Sequence, residues 1–224
     1  MKVLVIAAHP DDEVLGAGGA IARHVNNGDT VTIAILGSGL SSRMDTPDLL
    51  GDEQLAVLRS DAHQAAQILG VTDLRLFDLS DNRFDSLDLL EIVKLIEKLV
   101  DELQPVTIYT HFHGDLNIDH QLTARAVLTA CRPLSGSSVQ RLLAFEIPSS
   151  TGWGFPETPF TPTVFIDISE TLEKKLAAMA AYGTESRDFP HPRSQKALAA
   201  RAQSWGAQAG LTAAEPFMLI RELC

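Results

Sequence analysis

Cysteine is scarce: Cys131 and the terminal Cys224 are the two present in 224 residues. They cannot build a disulfide framework, so a hydrophobic core in a reducing compartment must hold the fold. Basic charge is also short. Lys and Arg number 18 against 29 Asp and Glu, and the net charge of −11 excludes a broad electrostatic footprint for nucleic-acid phosphates. No run reaches the roughly 20 apolar residues that span a bilayer. The apolar stretch at residues 3–8 is too short for a signal segment and runs straight into His9-Pro10-Asp11-Asp12. Repeats, linkers and low-complexity tracts are missing too. The expectation is one cytoplasmic domain over residues 1–224, with no nucleic-acid partner and no membrane span.

What is there alternates. The buried-strand pattern at 3–8 leads into a helical periodicity at 15–25, then a strand at 30–36 and a helix at 52–69 stopped by Gly70. A strand at 74–77, a helix at 87–103 stopped before Pro105, a strand at 106–109 and a helix at 120–131 continue the cycle. Strands follow at 142–146 and 163–168 around a loop at 148–162. A helix capped by Ser169 and running to about Tyr182, an irregular stretch at 187–194, a helix at 195–209 and a strand at 217–220 complete the chain. Strand–helix alternation implies βαβ units, hence an α/β fold, a Rossmann-like three-layer sandwich with a mostly parallel sheet.

In such a sheet, ligands bind beyond the carboxyl ends of the strands. Two loops there are crowded with metal-ligand types: His9-Pro10-Asp11-Asp12-Glu13 after the first strand, and the segment from His111 to His120, with three His and two Asp. One His and one carboxylate from the first loop, with one His from the second, make a set that leaves metal positions open for water and substrate. The adjacent Asp pair then divides its labour, one side chain ligating and the other acting as base. Asp119 is placed to orient a ligand imidazole. The run Gly16-Ala17-Gly18-Gly19 imitates a dinucleotide loop, but Ile21 stands where the third glycine belongs.

The AHPDDE segment after the opening strand and the distant NIDH resemble the PIG-L/LmbE-like superfamily of zinc-dependent N-deacetylases, in order along nearly the whole chain, including Arg59 and the AEPF segment ending at Phe217. The resemblance implies His9, Asp12 and His120 as zinc ligands, with iron(II) able to share the set, and Asp11 as general base. It implies hydrolysis of an acetamido group on a small amino-sugar substrate of the N-acetylglucosamine type, and homo-oligomers occur among its members. Many members carry a His at the position of Asn117, where it steadies the oxyanion or supplies a proton; an amide cannot titrate, so His111, His113 or Asp11 inherits the acid role.

Arg43, Arg59, Asn82, His191 and Arg193 are the candidates for substrate contact, since Arg suits bidentate contact with phosphate, carboxylate or sugar hydroxyls. Trp153 and Phe155 lie in the long loop as candidate ring-stacking partners. Two other classes fit part of the pattern: a His₂-carboxylate iron(II) oxygenase, and a non-catalytic Rossmann-like sugar- or nucleotide-binding module, which would not need Asp11.

Overall fold

The computed structural model describes residues 1–39, 52–154 and 157–224, so Arg43 and Phe155 lie outside the described residues. The chain runs β1 (Lys2–Ala7), α1 (Asp12–Asn26), β2 (Thr30–Gly37), α2 (Asp52–Leu69), β3 (Asp73–Leu79), α3 (Leu89–Leu103) and β4 (Thr107–His111). It continues through α4 (Ile118–Ala130), β5 (Arg141–Phe145), β6 (Val164–Asp167), α5 (Leu172–Ala181), α6 (Gln195–Ala209) and β7 (Ala214–Glu222). The seven strands form one sheet in the order β3-β2-β1-β4-β5-β7-β6. The first five pair in parallel, and β7 runs antiparallel between β5 and β6. This is the mostly parallel α/β architecture expected from the alternation.

Strand β1 shows why its sequence is continuously apolar. Val3, Val5 and Ala7 enter one core with α1, α2 and α5, whereas Leu4, Ile6 and Ala8 enter the other with α3 and α4. A strand covered on both faces has no polar side to present. Among the described residues, no helix is long and apolar enough to cross a membrane.

Helix α1 begins at Asp12, three residues before the expected start at 15. Apolar periodicity does not register the first turn, which is buried but acidic, Asp12 and Glu13, and suits the positive end of the helix dipole. The glycine run beyond it is a packing device. A Cβ on Gly16 would stand 2.3 Å from the Phe145 ring, and one on Gly19 would stand 2.7 Å from Ile168. Close approach of α1 to the sheet requires their absence.

Two side chains then enter the hydrogen-bond ladder of α1. Lys175 of α5 donates to the Leu15 carbonyl at 2.8 Å, and Glu215 of β7 accepts from the amides of Gly19 at 2.9 Å and Ala20 at 2.7 Å. Lys175 and Glu215 also pair with each other and are buried. The antiparallel strand is therefore a clamp on the helix that carries Asp12. It extends from 214 rather than from the expected 217 because Ala214 and Glu215 also pair with β6.

Removing one member of this pair strands a buried charge, so Lys175→Met is expected to lower the unfolding free energy by about 3–5 kcal/mol in a urea titration. Replacing both residues by Met should restore only part of the loss, because the Gly19 and Ala20 amides remain without their acceptor. Unchanged stability in Lys175→Met would show the clamp to be idle.

Candidate active site

The strand order reverses between β1 and β4, and a cleft of about 600 Å³ opens at their carboxyl ends. Among the described residues, six loops converge on it: His9 and Asp11 after β1, Gly39 after β2, Asp81 and Asn82 after β3, Asn117 and His120 at the start of α4, Ser149 and Ser150 after β5, and Glu185 and Arg193 between α5 and α6.

Asp12 is the centre. Its Oδ2 accepts from the His9 amide at 2.9 Å and lies 3.3 Å from His9 Nδ1, 3.2 Å from His120 Nε2 and 3.5 Å from His111 Nε2. Burial opposes its ionisation, but the surrounding imidazoles, His120 foremost, outweigh burial and hold Asp12 well below the usual carboxylate range.

Each of the two imidazoles on the cleft is braced from behind. His9 Nε2 lies 2.9 Å from both Asp119 Oδ2 and Asp81 Oδ1. His120 Nδ1 lies 3.1 Å from Asp115 Oδ1. The braces are themselves fixed. Asp119 accepts from the amides of Asn82 at 2.6 Å and Phe84 at 3.0 Å, and Asp115 accepts from the Asn117 amide and the hydroxyls of Ser150 and Thr151. Burial disfavours charge on both rings, yet the carboxylates prevail, pushing His9 well above its ordinary value and His120 up to about 9.

His9, Asp12 and His120 thus present one ligand atom each, all within 4.8 Å of one another, with the far nitrogen of each imidazole on a carboxylate. Such a donor set, with such outer support, could hold a divalent ion. His9, Asp81 and Asp119 satisfy the same distance limit, but Asp119 already accepts two backbone amides, and this second group is explained as the brace on His9.

Asp11 points elsewhere. It caps α1 with φ 101° and ψ −27°, left-handed backbone that is rare for a residue with a side chain and costs on the order of 1–3 kcal/mol. Its carboxylate makes no cap bond. Arg193 Nη1 stands 2.7 Å from Asp11 Oδ2, but off the line of a hydrogen bond, so among the described residues no donor satisfies that oxygen. Burial pushes the Asp11 carboxyl well above its ordinary range, and the Arg193 charge restrains the rise. Arg193 also contacts Glu185 Oε2 at 2.7 Å and donates from Nε to Ser149 at 2.9 Å.

With this geometry in view, residues 4–131 match the PIG-L family, described as GlcNAc-PI de-N-acetylase. The chain belongs to the PIG-L family. It is 28% identical over 197 residues to a probable N-acetyl-alpha-D-glucosaminyl L-malate deacetylase 2 of Bacillus subtilis, covering 87% of each chain. Its fold is similar to that of N,N'-diacetylchitobiose deacetylase from Pyrococcus horikoshii, with TM-score 0.78 and 21% identity over 98% of this chain and 84% of that one. It is equally similar, at TM-score 0.78 and 22% identity over 100% of this chain and 97% of the other, to GalB, the 4-carboxy-2-hydroxymuconate hydratase of Pseudomonas putida. The PIG-L fold therefore carries more than one chemistry, and the site must decide.

The remaining candidates divide. Asn117 caps α4, accepting from the Asp119 amide at 2.8 Å and donating to Asn82 Oδ1 at 2.9 Å; both Asn117 and Asn82 line the cleft. His111 is fully buried behind Asp12, where burial and the neighbouring His120 hold it neutral, and it accepts the Ala8 amide at 2.8 Å. His113 is exposed against Phe112 and lines no part of the cleft. Arg59 pairs on the surface with Asp78. His191 is half-buried, meeting the edge of Trp153 at 6.4 Å and accepting from the Arg193 amide. Asp81, Asp115, Glu185, Ser149 and Ser150 are site residues that sequence reasoning missed. Asp115 lies inside the His-rich loop and Asp81 stands beside Asn82, which are signals; Glu185 and the two serines carry none.

Cutting the brace on His9 should cost metal before it costs fold. Asp119→Ala is expected to weaken divalent-ion binding roughly 10–100-fold, read by competition with a chromophoric chelator. Unchanged affinity would sever Asp119 from the ion.

Proposed function

We propose that this chain hydrolyses the acetamido group of an N-acetylated amino sugar of the N-acetylglucosamine type, giving acetate and the free amine. The observation that carries this reading is the divergence of two adjacent carboxylates. Asp12 turns inward to His9 and His120, and Asp11 turns to the cleft with an oxygen that no donor among the described residues satisfies. A ligand next to a poised base is what an activated-water hydrolysis needs. The deacetylases among its relatives support the same class.

His9, Asp12 and His120 would hold a divalent ion, zinc by the donor set and iron(II) as the alternative, which would supply Lewis acidity to the acetamide carbonyl and to a water. Asp11 accepts the proton of the attacking water as the oxygen–carbon bond forms. The same carboxyl then gives that proton to the amide nitrogen as the carbon–nitrogen bond breaks. His111 and His113 do not line the cleft and Asn117 does not titrate, so Asp11 serves in both directions. Asn117 has a second amide hydrogen beyond the one given to Asn82, a donor for negative charge developing on the carbonyl oxygen. Arg193, placed between Asp11 and Glu185, orients the base. Asn82 and the serines after β5 offer hydrogen bonds to sugar hydroxyls.

A binding module without turnover has no use for a cleft-facing carboxylate held on left-handed backbone. The test is acetate release from a panel of N-acetylglucosaminides by metal-stripped protein, zinc-restored protein and zinc-loaded Asp11→Ala. Release should need the metal and fall by at least about 10² in the variant, the scale of a positioned base. Tight zinc binding with no member cleaved would overturn the sugar assignment, and no metal binding would overturn the ligand set.

A further inference from the structure

Glu13 follows the two working carboxylates, yet it faces neither the metal ligands nor the cleft. It is 1% exposed, and its two oxygens are both engaged. Oε1 accepts from the Tyr182 hydroxyl at 2.6 Å, and Oε2 accepts from the Asp11 amide at 3.1 Å. Tyr182, itself buried, is the residue after α5.

The Asp11 amide is the point of interest. An Asp at a helix N-cap ordinarily folds its carboxylate over the free amides of the first turn. In a capping box, a carboxylate from that turn also reaches back to the cap residue's own amide. Only the second half exists here. Glu13, the second residue of α1, reaches back to Asp11, while the Asp11 carboxylate makes no cap bond and its backbone keeps a φ of 101°. Without a bond to its amide, left-handed backbone is a poor resting place for an aspartate, and a conventional cap would be the relaxed alternative.

We propose that Glu13, clamped by Tyr182, is a positioning residue for the hydrolysis: it holds the backbone of Asp11 in the conformation that denies the carboxylate to the helix and delivers it to the cleft. Glu13 acts through Asp11 and touches no substrate. The inference rests on the base role given to Asp11 above, and wild-type acetate release tests that role separately.

The experiment compares Glu13→Ala, Glu13→Gln and Tyr182→Phe with the wild-type, all zinc-loaded. Glu13→Ala should lower kcat on the order of 10²-fold, the scale of a misplaced catalytic group, with KM and zinc affinity unchanged. Glu13→Gln, whose amide oxygen still accepts from Asp11, should recover most of the rate. Tyr182→Phe should lower kcat less than Glu13→Ala and in the same sense. Equal kcat in all three variants overturns the proposal, as does a rate loss in Glu13→Ala that comes with weakened zinc binding or raised KM. If Glu13→Ala does not fold, Tyr182→Phe decides: an unchanged kcat there overturns the proposal. A crystal structure of Glu13→Ala, or of Tyr182→Phe in its place, reads the same point without turnover. Asp11 should leave positive φ and turn its carboxylate onto the first-turn amides of α1; an Asp11 that stays as it is in Glu13→Ala overturns the proposal even if the wild-type cleaves nothing.

Discussion

Asp12 Oδ2 is where helix α1, the end of β1 and three imidazoles meet. A buried carboxylate is costly unless positive charge and donors surround it, and the rest of the site can be understood as meeting that requirement. The dipole of α1 favours it, the His9 amide bonds it, and His9 and His120 face it. The stacked pair His111 and His120 shows how finely the field is divided. Their centroids are 4.0 Å apart, yet one ring is held neutral and the other is pushed up to about 9. The difference lies in the other nitrogen of each ring. His120 Nδ1 meets Asp115, whereas His111 Nε2 accepts a backbone amide and its Nδ1 meets no partner among the described residues.

The same balance explains why so many carboxylates are gathered here. Asp11, Asp12, Asp81, Asp115, Asp119 and Glu185 are buried together, and Arg193 is the one guanidinium among the described residues of the cleft wall. Such a cluster creates a standing demand for positive charge, which protonated imidazoles or a divalent ion can meet. An ion placed where His9 Nδ1, Asp12 Oδ2 and His120 Nε2 converge would answer it with ligands already oriented by Asp119 and Asp115. The geometry is therefore preorganised from the second ring of residues inward.

The parts legible in the sequence were those with local signatures. Strand β1 is apolar on both faces, the two polar loops follow strands whose carboxyl ends face one crevice, and Gly70 and Pro105 stop helices where they should. Long-range pairings were not legible. Asp119 was expected to orient a ligand imidazole, and it contacts His9, 110 residues away, because neighbours on a helix point apart and its adjacent His120 turns to Asp115 instead. Arg193, expected to face substrate, lies against the Asp11 carboxylate. Glu13 was given no role, since nothing local shows that Tyr182 and the Asp11 amide claim both its oxygens.

Asn117 turns these particulars into a constraint on the chemistry. In the resembling family a titratable His commonly stands there; in this chain the position caps α4 and tethers Asn82. Among the described residues, the carboxylates left on the cleft wall besides Asp11 are Asp81, which braces His9, and Glu185, which holds Arg193. In the hydrolysis proposed above, this leaves Asp11 as the carrier for a proton taken from water and later owed to the leaving amine. A carrier used twice must hold its place through both transfers, which a free-swinging side chain would not do. Its backbone is strained rather than relaxed, its amide is tied down by Glu13, and a guanidinium stands 2.7 Å from its Oδ2, so the carboxylate of the proposed base is kept in position.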